Sequence, residues 1–190
     1  PTHERCDIEQ LAEDCDGEAN ESPPCVRVAQ LTAGWYHTCA LMTDGTVNCW
    51  GLTDPDDAGE APLTVYTTPT PVADLAGVVA IGAGTYDTCG VLTDASGRCW
   101  GDTFYFDFEE GPLPIRFAPD YSTMSQLAAV DRGHDHACAL LLDGTVVCAG
   151  NNNHGQLGDG TTEGRTEFGI VSEIEGAVAI ALGSSHACAL

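Results

Sequence analysis

The sequence predicts an all-β protein assembled from tandem antiparallel modules, and three observations predict it. Short apolar runs bounded by glycine recur along the chain. Cysteines return at a fixed interval, and no long window carries an apolar stripe at helical spacing. With 190 residues and 43% hydrophobic side chains, the chain has material for a buried core.

The interval is the first element to justify. Cys39, Cys89, Cys138 and Cys188 stand 50, 49 and 50 residues apart. Each closes a similar segment: Ala33-Gly34-Trp35-Tyr36-His37-Thr38-Cys39, Ala83-Gly84-Thr85-Tyr86-Asp87-Thr88-Cys89, Arg132-Gly133-His134-Asp135-His136-Ala137-Cys138 and Leu182-Gly183-Ser184-Ser185-His186-Ala187-Cys188. Self-similarity at a fixed period marks a repeat architecture. The runs Val78–Ile81, Leu127–Val130 and Val178–Ile180 precede the later copies. They are short and partly β-branched, and read as buried strands.

The hairpins come next. Cys39 and Cys49 are symmetric about Asp44, so a three-residue loop Thr43-Asp44-Gly45 brings Leu41 opposite Val47 and Cys39 opposite Cys49. Such a loop favours glycine at its last, left-handed position, which Gly45 supplies. If Met42 and Thr46 form the hydrogen-bonded closing pair, the facing cysteines occupy a non-hydrogen-bonded site at disulfide distance. The same arithmetic pairs Cys89 with Cys99 and Cys138 with Cys148. In the second copy Ala95 holds the glycine position, so that turn is expected to differ. Cys6, Cys15, Cys25 and Cys188 are left over; four thiols allow three connectivities, and the sequence does not choose among them.

Composition bounds the function. There are 29 acidic and 6 basic side chains, a formal charge of −23, and every basic residue is an arginine. A Walker A phosphate loop and a lysine Schiff base are excluded. A basic groove for nucleic acid and a polybasic membrane patch are not expected. No apolar run approaches the length of a membrane helix. Ten cysteines without a Cys-x-x-Cys pair point to an oxidising compartment: outside the cell, on its surface, or in a periplasm.

Beyond the repeated segments, the half-motifs Asp44-Gly45-Thr46-Val47-Asn48-Cys49-Trp50-Gly51 and Asp143-Gly144-Thr145-Val146-Val147-Cys148 recur. The third module continues with Gly150-Asn151-Asn152-Asn153-His154-Gly155-Gln156-Leu157-Gly158-Asp159-Gly160. Together these resemble the regulator-of-chromosome-condensation repeat over roughly residues 26–190. With their paired cysteines they are similar to the secreted bacterial versions of that repeat. The resemblance implies a β-propeller of four-stranded antiparallel blades, usually seven. About 3.3 blades are present, so a partial ring belonging to a longer chain, or one completed by a second chain, is expected. The modules fall near 26–70, 71–119 and 120–169, with 170–190 incomplete; residues 1–25 form an acidic, cysteine-containing segment ending in a Ser22-Pro23-Pro24 linker. The Gly-Gln-Leu-Gly segment is missing after the first two modules, whose outer connections are remodelled.

Candidate sites follow from these departures. His37, His136 and His186 share one repeat position, with Asp87 standing there in the second copy; a side chain recurring in every blade reads as a structural hydrogen-bonder. Asp54, Asp56, Asp57 and Glu60 form an acidic loop cluster that could hold Ca²⁺, the single cofactor considered. Phe104, Tyr105, Phe106 and Phe108 form an aromatic stretch that could meet a partner. Trp50 and Trp100 recur in register and are expected between blades. No Gly-x-Ser-x-Gly elbow or His-Glu-x-x-His pair occurs, so an enzyme is not expected. The sequence reads as a non-enzymatic extracellular or cell-surface scaffold for protein partners or surface structure. A Ca²⁺-dependent adhesin-like module and a secreted enzyme-inhibitor-like propeller are the alternatives.

Overall fold

The computed structural model describes residues 26–53, 64–101 and 124–190. Each repeat folds as one antiparallel sheet. The first holds β1 (Val28–Ala33), β2 (His37–Met42), β3 (Val47–Thr53) and β4 (Thr64–Pro71), in that spatial order. The second holds β5 (Val78–Ala83), β6 (Asp87–Leu92) and β7 (Gly97–Gly101). The third holds β8 (Leu127–Arg132), β9 (His136–Leu141), β10 (Val146–Gly150) and β11 (Arg165–Ile170), and β12 (Ile180–Leu182) pairs with β13 (Ala187–Ala189). No helix occurs among the described residues. The first strands β1, β5, β8 and β12 pack successively on one another, so they lie innermost and the sheets radiate from them as propeller blades.

The hairpin register is set by the turn. Leu41 faces Val47 and Cys39 faces Cys49; Val91 faces Gly97 and Cys89 faces Cys99; Leu140 faces Val146 and Cys138 faces Cys148. The closing bonds run from the Met42 N–H to the Thr46 carbonyl (2.8 Å), from Leu92 to Ser96 (2.9 Å) and from Leu141 to Thr145 (2.8 Å). The second turn does not differ from the others, contrary to the expectation from Ala95. Ala95 takes a φ of 63°, beside 80° at Gly45 and 84° at Gly144. Its neighbour Asp94 holds the turn as Asp44 and Asp143 do, each accepting the N–H two residues on at 2.9–3.0 Å. Donation from the Thr46 and Ser96 hydroxyls and N–H groups keeps the Asp44 and Asp94 carboxyls below their usual pKa.

Disulfides join Cys39–Cys49, Cys89–Cys99 and Cys138–Cys148, with Cα separations of 4.1, 4.0 and 4.1 Å. Each lies in a core layer between blades. Cys39, Leu41, Val47 and Cys49 of the first blade pack with Val72, Leu75, Val78, Ile81 and Trp100. Cys89 and Val91 pack with Leu127, Val130, Ala137 and Ala139, and Cys138 and Cys148 pack with Leu157, Val171 and Ala177. The blades are therefore glued face to face by apolar layers, with sulfur filling the middle of each. Trp100 is 1% exposed in such a layer, but Trp50, at the matching position of the first blade, is only half-buried. The expectation that both lie between blades therefore holds for Trp100 alone.

The turns also stitch one blade to the next. The carbonyls of Gly45, Ala95 and Gly144 accept the N–H groups of Val78, Leu127 and Ala177 at 3.0–3.1 Å. Further in, the Thr32 hydroxyl accepts the Ala83 N–H (3.0 Å) and the Asp131 carboxylate accepts the Leu182 N–H (2.8 Å). Gln30 bonds both the N–H and the carbonyl of Ile81.

Candidate protein-interaction face

One end of the blades is built by a single tight loop used four times. The N–H groups of Gly34, Gly84, Gly133 and Gly183 donate to the carbonyls of His37, Asp87, His136 and His186 at 2.8–2.9 Å. Each bond closes the link from first to second strand over a two-residue tip; Trp35 and Tyr36 project there, whereas Thr85 of the second loop is buried. Glycine is needed at its base: a Cβ on Gly34 would lie 2.2 Å from the Gly84 carbonyl oxygen of the next blade. The loops are thus locked to each other. The Thr85 hydroxyl donates to the His134 carbonyl (3.4 Å), and the His134 N–H donates to the Ser184 carbonyl (3.2 Å).

The tips carry Trp35 and Tyr36, Thr85 and Tyr86, His134 and Asp135, and Ser184 and Ser185. Their aromatic rings form one continuous row. Tyr36 stacks on Tyr86 with centroids 5.2 Å apart, Trp35 meets Tyr36 edge-on at 6.4 Å, and Trp35 tilts against His134 at 4.6 Å. Trp35 is 56% and Tyr36 52% exposed. Beside the row opens a cleft of about 400 Å³ between the ends of the inner strands, lined by Leu31, Trp35, Asp131, Arg132, His134 and Leu182 among others. Burial raises the Asp131 carboxyl above its usual pKa, against hydrogen bonds from the Leu182 and Arg132 N–H groups.

Behind the tips sits the histidine position. His37 places Nε2 2.7 Å from the Thr88 hydroxyl of the next blade. Burial lowers its pKa to about 4, against a weaker opposing hydrogen bond with the Thr85 backbone. His136 is fully buried, with Asp135 3.7 Å from its Nδ1, whereas His186 is exposed. Asp87 instead forms a buried ion pair with Arg132 of the next blade. Of the four, His37 and Asp87 join blades through these contacts, and the four do not converge on one another. Among the described residues there is no group of three or more histidine, cysteine, aspartate or glutamate side chains arranged to hold a metal.

Of the sites expected from sequence, the acidic cluster Asp54, Asp56, Asp57 and Glu60 and the aromatic stretch Phe104, Tyr105, Phe106 and Phe108 lie outside the described residues, as do Cys6, Cys15 and Cys25. Cys188 is exposed and unbridged. Sequence reasoning missed the aromatic row. Its signal was present in the aligned copies: tip positions that change from Trp to Thr to His to Ser inside an otherwise constant frame.

The long outer loop of the third blade explains its own sequence. Asn152 is fully buried and its Nδ2 donates to Asp159 Oδ1, the Thr161 carbonyl and hydroxyl, and the Glu163 carbonyl at 3.1–3.2 Å. Its Oδ1 accepts the Leu157 N–H at 2.9 Å, dropping the Leu157 side chain into the core. Residues 28–54 and 125–156 match the family model of the regulator of chromosome condensation (RCC1) repeat. Two of the chain's blades match the RCC1 repeat. The RCC1 matches fall on the first and third blades, on either side of the blade with Asp87 and Ala95.

Solved structures share the RCC1-type propeller fold. Prp20p from Saccharomyces cerevisiae aligns with a TM-score of 0.65 at 20% identity, covering 87% of this chain and 41% of that one. Yeast RCC1 (Prp20) bound to Kap60 aligns at 0.62 and 21%, covering 87% and 40%. Human WBSCR16 aligns at 0.56 and 18%, covering 94% and 63%. The chain spans about two fifths of the Prp20 chains it matches. No curated protein matches it.

Proposed function

We propose that this RCC1-repeat chain is a non-enzymatic protein-interaction scaffold working outside the cell or at its surface, and that the aromatic row is its contact face. The observation that carries the reading is the exposed pair Trp35 and Tyr36, braced by the half-buried Tyr86 and His134 on loops held rigid by repeated backbone bonds. Exposed aromatics on a fixed frame are typical interface anchors, because they bury large area at little entropic cost. Variable tips on constant blades place recognition where it disturbs folding least. Three bridged cysteine pairs support an oxidising compartment. The yeast protein Prp20p has binding properties toward Gsp1p and histones, and yeast RCC1 has been captured bound to Kap60; both support a protein partner here. A net charge of −23 speaks against a nucleic-acid backbone as ligand.

The test immobilises the chain and exposes it to the extracellular fraction of its source, beside Trp35→Ala/Tyr36→Ala and a control, Val65→Ser, on the exposed outer strand β4. Partner capture by the wild type and the control, lost in the double variant, is the expected result. Equal capture by all three overturns the assignment of the face. Capture that survives in wild type but disappears with EDTA favours the Ca²⁺-dependent module at Asp54, Asp56, Asp57 and Glu60 instead.

A further inference from the structure

We infer that the cleft beside the aromatic row seats a cationic side chain, arginine or lysine, from a basic segment of the protein partner; this rests on the interaction face assigned above and specifies what it recognises. The first support is the indole. Trp35 stands at the rim of the cleft, more than half exposed, and is braced by His134 at 4.6 Å and Tyr36 at 6.4 Å. It is presented to solvent by its neighbours instead of folding into the core. The face of an indole is the strongest aromatic surface for a cation.

The second support is a carboxylate with no salt bridge among the described residues. Asp131 lines the same cleft. Its Oδ1 accepts the Arg132 N–H (2.9 Å) and its Oδ2 accepts the Leu182 N–H (2.8 Å), both neutral donors. The one guanidinium in the cleft wall, that of Arg132, is committed to Asp87 and is 1% exposed. No arginine pairs with Asp131 among the described residues, so its carboxylate presents negative charge to whatever enters. A partly buried carboxylate facing an aromatic rim is matched by a side-chain cation, which gains from both at once.

The third support is the field around the cleft. With 29 acidic and 6 basic residues, the chain draws basic segments toward its surface and repels acidic ones. The field alone steers without selecting; Trp35 and Asp131 supply the point of selection.

Fluorescence anisotropy of labelled synthetic peptides tests this on the intact chain. The probes are Gly/Ser peptides bearing spaced arginines, spaced lysines or spaced glutamates. The arginine or lysine peptide is expected to bind and the glutamate peptide not to. Trp35→Ala and Asp131→Asn should each weaken binding about tenfold, Trp35→Phe should retain most of it, and Val65→Ser should leave it unchanged. Trp35 is exposed, so its variants report even where Asp131→Asn perturbs the β8–β12 contact. Equal binding by all variants overturns the inference, because the affinity is then diffuse charge attraction. Absence of binding by both cationic peptides overturns it as well. In that case partner capture that still depends on Trp35 and Tyr36 keeps the interaction face, and capture independent of them removes the face too.

Discussion

Removing one member of the Asp87–Arg132 pair should cost far more than removing both. The two side chains are 2% and 1% exposed and face each other across the seam between the second and third blades. In Arg132→Met the Asp87 carboxylate remains buried without its cation, and in Asp87→Leu the Arg132 guanidinium is stranded in the same way. Stranding a buried charge costs about 3–5 kcal/mol. At 190 residues each kcal/mol shifts Tm by about 2–4 °C, so either single variant should melt roughly 6–20 °C below wild type. The double variant Asp87→Leu/Arg132→Met fills the space with apolar atoms and leaves no charge behind. Pairs replaced in this way are often neutral or even stabilising. Urea titrations of the four proteins close the cycle, and a coupling of about 3 kcal/mol or more is expected. Single variants within about 1 kcal/mol of wild type, or strictly additive losses, would refute the reasoning, because the charges would then be stabilised by something other than each other.

Ala95→Gly should stabilise the chain by about 1 kcal/mol, since an L-residue held at a φ of 63° carries a left-handed penalty that glycine avoids; an unchanged urea midpoint counts against it. Reducing the three bridges should lower stability by about 2.7 kcal/mol each in the chain-entropy model, with a ten-residue separation in every case. Because Cys39, Cys49, Cys138 and Cys148 are buried between blades, alkylation followed by intact mass should show reduction of those two bridges only once denaturant opens the seams, with the bridge to the partly buried Cys99 yielding first. His37 should make stability depend on pH. Its imidazole takes up a proton near 6.5 when unfolded but only near 4 when folded, so the unfolded chain binds more protons between those values. Stability is therefore full above pH 6.5 and falls by about 3 kcal/mol as pH drops to 4. Urea midpoints at pH 7, 5.5 and 4 measure this, and His37→Gln should flatten that part of the profile.

The fold was legible where local chemistry dictates it. The spacing Cys39–Cys49 about Asp44 fixes loop length, loop length fixes register, and register places the sulfurs opposite each other; nothing beyond the hairpin is required. The second turn was misjudged because the glycine was weighed and the aspartate was not. Asp94 organises the turn through Ser96, and Ala95 is carried into the left-handed region by its neighbours. The ion pair was hidden for a different reason. Asp87 stood out as the exception among histidines, and Arg132 as the exception where Ala33, Ala83 and Leu182 stand, but only the seam between blades shows that the two exceptions touch. The aromatic row was hidden likewise. Trp35 and His134 are 99 positions apart in sequence and meet only because the blades turn their loops toward a shared axis.

This division has a physical basis. Contacts made by backbone recur at every blade: the Gly45, Ala95 and Gly144 carbonyls reaching the next first strand, and the Gly34, Gly84, Gly133 and Gly183 N–H groups closing the loop. They need no particular side chain beyond glycine where space is tight. Side-chain contacts at the seams are free to change, provided both partners change together, as His37 with Thr88 gives way to Asp87 with Arg132. At the loop tips even that condition lapses, because the strands hold the loop whatever projects from it. The exposed positions 35 and 36 are therefore where a new side chain costs the fold least. A blade frame that carries Trp, Thr, His and Ser at one equivalent site leaves that site open to change without loss of the fold.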